Sequence, residues 1–467
     1  MKHDRHGWWL EEAGAAAVEP QRPLTGDARA DVVVVGGGYL GLWTAWHLLE
    51  LEPELDLVVL EAELCGHGPS GRNGGFVSTL WGDLPTLRER VGEAAARSVG
   101  RASQAAVHGI GDWCREQEVD AWYRAAPQLE VATTPAQDGA WEPVVRACAE
   151  AGVAEQCLEL SAHEIGARCA SPIFRGGALY PSAATVQPAR LALGLRARLL
   201  DRGARIHERS PVARLGRDNA SPGSIAAETR GGRVLSGAGV LAVNSRTVAF
   251  PGFRTALAVA SSHIVITEPV PDVLDELGWT GGEAISDCRT LLHYFRTTRD
   301  GRIVFGWGGG TMGVGARAAR RLEVDPEVVE RTRASLLRFF PQLRGRTLAH
   351  AWGGPIDVSP THLPIFGSRG RVHHGYGFTG NGVGPSYLGG QILARLALDR
   401  RDEFSGLALV DPDSKQFPPE PLRYAGGALI RRALVRKDAA EDEGRRPDPV
   451  TRLVASLPRR LGLHLPR

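Results

Sequence analysis

Apolar residues keep no single period along this chain, and each change of period marks an element. Asp31-Val32-Val33-Val34-Val35-Gly36 is a β-branched run without polar alternation, the pattern of a strand buried on both faces, and it passes through glycines into a helical pattern reaching Leu49. Pro53 ends that helix region. Leu57-Val58-Val59-Leu60-Glu61 then reads as a second buried strand, which a right-handed crossover lays parallel to the first. From about 84 to 180 the pattern becomes mixed helix and loop, with Trp113, Trp122, Tyr123 and Trp141 spread among charges, and a second domain is expected. The α/β reading returns with a helix over Gln187 to Leu200, stopped by Gly203, after which Arg205-Ile206-His207 leads toward Val212. The segment 234–244, ending Gly239-Val240-Leu241-Ala242-Val243-Asn244, predicts another central strand. Residues 255–310 alternate as strands, and Asp300-Gly301 between His293–Thr298 and Arg302–Gly306 predicts a hairpin, hence an antiparallel sheet.

Length adds a constraint: 467 residues at 43% hydrophobic content exceed one compact core, so two interleaved domains are expected. Net charge is +2, which gives no electrostatic footprint for a polyphosphate strand, and nucleic acid is not an expected partner. The six cysteines are scattered without a CxxC pair, so neither a metal site nor a redox disulfide is expected. The first thirty residues hold no long apolar stretch and no later run is long enough for a bilayer, which reads as a soluble, cytoplasmic protein. Lys2, Lys415 and Lys437 are the only lysines, so arginine carries nearly all the positive charge.

The chemistry starts at Gly36-Gly37-Gly38-Tyr39-Leu40-Gly41, which fits G-x-G-x-x-G. Gly36 permits the tight turn, Gly38 lets a pyrophosphate approach the backbone, and Gly41 packs helix on strand. Three glycines alone are a weak signal. Here they stand between a strand and a helix, and Glu61 ends the next strand, where a carboxylate accepts hydrogen bonds from both ribose hydroxyls. An acid there disfavours a 2′-phosphate and therefore NADP. The motif does not separate NAD from FAD, which share the ADP half.

Two further segments favour a flavin. Gly66-His67-Gly68-Pro69-Ser70-Gly71-Arg72-Asn73-Gly74-Gly75 has little bulk and several donors, suited to passing beside a planar ring. Gly375 to Ser386, rich in glycine, leads into the apolar helix Leu388–Leu398 and bares backbone N–H groups at a helix start, where they stabilise negative charge. With these residues the chain resembles the D-amino-acid oxidase, glycine oxidase and sarcosine oxidase superfamily, and within it the gamma-glutamylputrescine oxidase-like branch. The matching text is GGGYLGLWTAWHL, VVLEAE, SGRNGG, YFRTTRDGRIVFG, WGGPIDVSPTHLPIFG and GYGFTGNGVGPS, together spanning most of residues 8–400.

The resemblance implies a doubly wound α/β FAD-binding domain, Rossmann-like and of glutathione-reductase type, interleaved with an α+β substrate domain on an antiparallel sheet. The expected division is 1–83, 181–250 and 351–410 for FAD, 84–180 and 251–350 for substrate, and 411–467 as a C-terminal helical tail. Gly36, Gly38, Gly41 and Glu61 would hold the ADP half and Val212 would sit near the adenine. Ser70, Arg72, Asn73, Gly74 and Gly75 would approach the ring, with Gly380, Asn381, Gly382 and Val383 at its pyrimidine edge. Some relatives attach flavin covalently through a late cysteine or a histidine in the ring-side run. This chain has no cysteine after Cys288 and has Asn73 in place of that histidine, so noncovalent FAD is expected.

The implied reaction is hydride transfer from the carbon beside a neutral amine to flavin N5, followed by hydrolysis of the imine. The lysine that helps reduced flavin meet oxygen in sarcosine oxidases has no counterpart here, which leaves O2 or another acceptor open; Arg72, His67 or His362 could supply charge instead. For the two histidines a hydrogen-bonded loop residue is the competing reading. The arginine that clamps a substrate carboxylate in glycine and D-amino-acid oxidases is replaced by Ile356, which favours an amine, polyamine derivative or N-substituted compound over a simple amino acid. Asp357 could attract an ammonium group or cap a turn. Tyr294 and Arg296 alternate onto one face of the hairpin and are the expected substrate-facing pair, against a solvated polar stripe. The catalytic candidates are thus Arg72, Tyr294, Arg296 and His362, with no metal. A flavin monooxygenase using NAD(P)H, an amino-acid oxidase or dehydrogenase, and a flavin-binding module docking through its basic tail are the alternatives. For the tail, a face packed on the nucleotide domain is favoured over a membrane or partner contact.

Overall fold

A computed structural model describes residues 1–314, 320–413, 415–461 and 463. The two buried runs form adjacent parallel strands, Ala28–Val35 and Leu57–Leu60, with Val32 opposite Leu57 and Val35 opposite Leu60. Arg205–His207 extends this sheet beyond the second strand, and Arg233–Leu241 lies parallel to the first on its other side. Arg233–Leu241 forks the sheet: its first half pairs with Ile225–Glu228 and its second half with Val372–Tyr376. Val372–Tyr376 therefore brings the late glycine segment to the end of the sheet where Gly36 turns, and one ligand can touch both.

Helix Tyr39–Leu51 is apolar on all sides, with buried residues over eleven consecutive positions, because it is sandwiched rather than laid on a surface. Its outer partner is helix Val383–Ala397, and the two backbones meet closely: a Cβ at Gly390 would lie 2.7 Å from the Cβ of Trp43. Trp43 and Trp46 stack edge-on against Trp113 at 5.0 and 5.5 Å, which packs helix Glu93–Glu116 on the same core. Trp113 and Trp141 are core residues.

The second domain is built on a nine-stranded sheet. Its centre is Ala258–Thr267, antiparallel to both Ile303–Trp307 and Leu348–Val358, and the expected hairpin is present with His293–Thr297 opposite Ile303–Trp307. Two pairs are parallel: Gln128–Val131 with Ala284–Asp287, and Lys2–His3 with Leu348–Val358. Two of the expected segment limits therefore move. Lys2–His3 joins the substrate sheet, and Leu348–Val358 lies wholly in it instead of being divided at 351, because its ten-residue ladder with Ala258–Thr267 outweighs its neighbourhood in sequence to the later FAD segment.

The tail forms two helices, Leu422–Asp442 and Pro449–Arg460. Its expected seat on the nucleotide domain is corrected: Arg431 donates to the carbonyl of Gly309, and Asp442 pairs with Arg289 and Arg338, all of the substrate side. Charged partners there, not an apolar stripe, fix its place. Among the described residues no helix is long and apolar enough to cross a membrane, and no group of three or more His, Cys, Asp or Glu could hold a metal ion.

Candidate active site

A single cavity of about 1260 Å³ runs from the Gly36 turn into the substrate sheet. Its first end is made of backbone. Gly36 has φ +114°, and a side chain there would overlap the carbonyl oxygen of Ala242. A Cβ on Gly38 would sit 2.9 Å from Ser70 Oγ, which itself accepts from the Tyr39 amide at 2.8 Å at the start of helix Tyr39–Leu51. Glu61 Oε2 accepts from the Gly37 amide at 2.6 Å and Oε1 from the Glu63 amide at 2.8 Å. Burial pushes this carboxyl's pKa up against those two amides. Each oxygen keeps a lone pair for a further donor. Val212 closes this end beside Val35 and Leu60.

In the middle, the loop 66–75 is stitched by Asn73, whose Nδ2 donates to the carbonyls of Pro69 and Ser70 at 3.2 and 2.9 Å while its Oδ1 accepts from the Gly75 amide at 2.7 Å. Facing it, Gly380, Asn381, Gly382 and Val383 line the cavity at the start of helix Val383–Ala397. Asp357 is buried and accepts from the Gly377 amide at 2.6 Å, while its carbonyl accepts from Thr379 at 3.1 Å. Burial raises its pKa to about 6, and the amides of Gly377 and Phe378 pull it back. The carboxylate thus holds the Gly377–Thr379 turn, the capping alternative of the two open for it.

The far end is the face of the substrate sheet carrying Ala260, Ser262, Ile264, Tyr294 and Ile356. Tyr294 and Ser262 share a hydroxyl–hydroxyl bond of 2.7 Å, and Ser262 also donates to the Trp307 carbonyl at 3.0 Å. Burial pushes the Tyr294 hydroxyl to about 12, so it stays protonated.

This succession of a glycine turn, a ribose acid, a slim loop and a second helix start is matched by the family profile "FAD dependent oxidoreductase" (DAO) over residues 31–396. The chain belongs to this family. Gamma-glutamylputrescine oxidoreductase of Escherichia coli (strain K12) is 29% identical to it over 434 residues, covering 90% of this chain and 93% of that protein. Crystal structures of glycine oxidase from Geobacillus kaustophilus and L-proline dehydrogenase from P. horikoshii superpose with TM-scores of 0.65 each. They are 19% and 16% identical, cover 80% and 84% of this chain, and each is itself covered to 96%, so they show the fold.

The cofactor of this DAO-family chain is FAD, and the bare backbone at Gly38 with the half-buried, half-satisfied Glu61 fits its ADP half. Gly36, Gly38, Glu61, Ser70, Arg72, Asn73, Gly74, Val212 and Gly380 to Val383 all line the cavity. Gly41 and Gly75 act behind it. A methyl on Gly41 would overlap the Gly36 carbonyl, and one on Gly75 the Val186 carbonyl.

The catalytic candidates divide. Tyr294 and His362 line the cavity, with His362 at φ +60°. Arg72 also lines it, but its guanidinium donates to the carbonyls of Arg5 at 2.8 Å and Gly68 at 3.2 Å and pairs with Glu323 at 3.2 Å. Arg296 is corrected. It shares the strand face with Tyr294, yet its longer side chain reaches past the cavity wall to donate to the carbonyls of Gly74, at 2.7 Å, and Val186, and it lies 4.9 Å from the Trp9 ring. Arg296 braces the FAD loop from behind. Burial lowers the pKa of His67, so it is neutral at pH 7 and supplies no charge. Ser262, Asn244, Glu323 and the tail residues Ile430, Arg431 and Leu434 line the cavity without having been expected. Helical spacing over 427–434 is the one signal that could have marked the last three.

Proposed function

We propose that this chain oxidises the carbon–nitrogen bond of an amine to an imine, which water hydrolyses to a carbonyl compound and ammonia or an amine. The amine is primary or secondary, a polyamine derivative or another N-substituted compound. Bound FAD, held noncovalently, supplies the hydride acceptor at N5. The observation that carries the reading is the continuity of the cavity from Gly38 and Glu61, between Gly74 and Gly382, to a wall where Ile356 stands on the face shared with Tyr294 and Ser262. An apolar residue at that position gives an α-carboxylate no partner, whereas the Tyr294 hydroxyl, whose proton goes to Ser262 while Ser262 donates to Trp307, offers an amine N–H an acceptor. The likeness to gamma-glutamylputrescine oxidoreductase supports the same class. The residues bind and orient; an amine that enters unprotonated needs no strong base. Electrons then pass to O2, giving peroxide, or to another acceptor.

The test is an anaerobic screen of amines, polyamines, N-methyl compounds and amino acids against the purified flavoprotein. Bleaching of the flavin by an amine is expected, and admission of air then reports peroxide. Bleaching by NADH or NADPH but by no amine would replace this reading with the monooxygenase one.

A further inference from the structure

The tail lies beyond residue 396, where the family profile ends, yet it closes one side of the substrate cavity. Gly427, Ile430, Arg431 and Leu434 line that cavity, and spacings of i, i+3, i+4 and i+7 put them on one face of helix Leu422–Asp442. The helix is fixed at both ends. Arg423 donates to the carbonyls of Arg254 and Leu257 at 2.6 and 2.8 Å, and Asp442 pairs with Arg289 and Arg338.

The face is apolar except for Arg431. Its Nε and Nη2 donate to the Gly309 carbonyl at 3.0 and 2.8 Å and Nε also to that of Gly310, which orients the guanidinium plane. Among the described residues Nη1 has no hydrogen-bond partner and the group has no ion pair. The other arginines of the wall are engaged or wet: Arg72 faces Glu323, Arg289 faces Asp287 and Asp442, and Arg246 and Arg459 are exposed, where water competes for their charge. Arg431 is half-buried beside Ile430, Leu434 and Met312. Asp325, Glu327, Arg321 and Arg331 act on it at longer range without an ion pair, and an oriented, half-buried cation with a vacant donor is a carboxylate site.

We infer that helix Leu422–Asp442 is part of the substrate site and that Arg431 anchors a carboxylate at the end of the substrate remote from the reacting nitrogen. The aliphatic spacer lies against Ile430 and Leu434. This rests on the amine-oxidising reading and narrows it, from any amine to one with a distal carboxylate. The absence of a cation at Ile356 and the presence of one at Arg431 move carboxylate recognition from the reacting end to the far end.

The test compares amines of equal length that end in methyl or in carboxylate, hexylamine and 6-aminohexanoate with their N-methyl derivatives, in anaerobic flavin reduction. Hexanoate, which carries no nitrogen, is titrated separately against the flavin absorption. The wild-type protein is expected to bind hexanoate and to favour the carboxylate member about tenfold or more, through KM rather than kcat. Arg431→Gln should lose both the binding and the preference, Arg431→Lys should recover part, and flavin content should be alike in all. Equal handling of paired amines by the wild type, or an unchanged preference in Arg431→Gln, overturns the inference. Should Arg431→Gln fail to hold flavin, Ile430→Glu sets a competing carboxylate beside the cation; it is expected to abolish hexanoate binding, and retained binding overturns the inference. Arg431-dependent hexanoate binding with no amine bleaching the flavin would remove the amine reading and leave the carboxylate anchor standing.

Discussion

Replacing Glu61 with alanine separates the ribose contact from the rest of the cradle. The side chain is half-buried, and each oxygen already accepts one backbone amide, at 2.6 Å from Gly37 and 2.8 Å from Glu63. Two ribose hydroxyls would complete its shell, each hydrogen bond to a charged acceptor contributing about 1.5–3 kcal/mol. Their loss amounts to about 3–6 kcal/mol, a weakening of FAD affinity of roughly a hundred- to ten-thousandfold. The two amides, left without acceptors, are rehydrated once the side chain is gone, which keeps the effect on binding rather than on folding. Glu61→Gln retains the shape and one acceptor, so its loss should be smaller, about tenfold. Flavin-to-protein ratio after gel filtration, and flavin fluorescence on serial dilution of the holoprotein, give the affinities. A Glu61→Ala protein that keeps its full flavin with affinity within about threefold of wild type would refute the ribose assignment, and equal losses in Ala and Gln variants would refute the charge argument.

Three other outcomes follow from single contacts. Gly41→Ala sets a methyl into the Gly36 carbonyl, where backbone cannot yield, and should destabilise the holoprotein by about 1–3 kcal/mol or more in thermal unfolding; Gly426→Ala, with nothing within 4 Å of its Cβ, should not. Arg296→Met leaves the Gly74 and Val186 carbonyls without their donor, at about 1–3 kcal/mol each, and should weaken flavin retention without selecting among amines; Arg296→Lys should recover part, and an amine-specific KM change would restore a substrate-facing role. Asp438 on the tail helix is buried, and burial raises its pKa from 3.8 to about 7 against the pull of Arg289 and Lys437. Folding therefore takes up a proton between those values: the contribution is full below about 4 and is lost as pH rises through about 7. Thermal stability of the wild type relative to Asp438→Asn should fall across that window, and parallel pH profiles would show that the carboxyl does not titrate there.

The FAD end was legible because it is made of backbone. A turn at φ +114° and two helices in contact at Gly390 each require glycine, and glycine in a strand–turn–helix context is visible in a string of letters. The two buried strands and the hairpin were legible for the same reason, through period and turn chemistry. Arg296 was misplaced because alternation fixes which face a Cβ leaves from, not how far a long side chain travels. Its guanidinium runs beneath the cavity wall to Val186, a contact across 110 residues of sequence. The seat of the tail was hidden for a related reason. Its partners Arg289, Gly309 and Arg338 lie in two loops and a helix well apart in sequence, so no local pattern marks them as one surface.

The two ends of the cavity also differ in what a substitution can change. The FAD end is overdetermined, since the turn at Gly36, the helix start at Tyr39 and the loop tied by Asn73 share hydrogen bonds, and moving one moves the others. The substrate end is assembled from side chains on independent supports: Ser262, Tyr294 and Ile356 on three strands of one sheet, and Ile430, Arg431 and Leu434 on a helix of the tail, tied at its two termini and through Arg431. A family can therefore keep its cofactor while the residues facing the substrate change, because FAD binding depends on the overdetermined end and discrimination on the other. With Ile356 on the sheet and Arg431 on the helix, the proposed carboxylate anchor lies in the segment that the family profile does not reach.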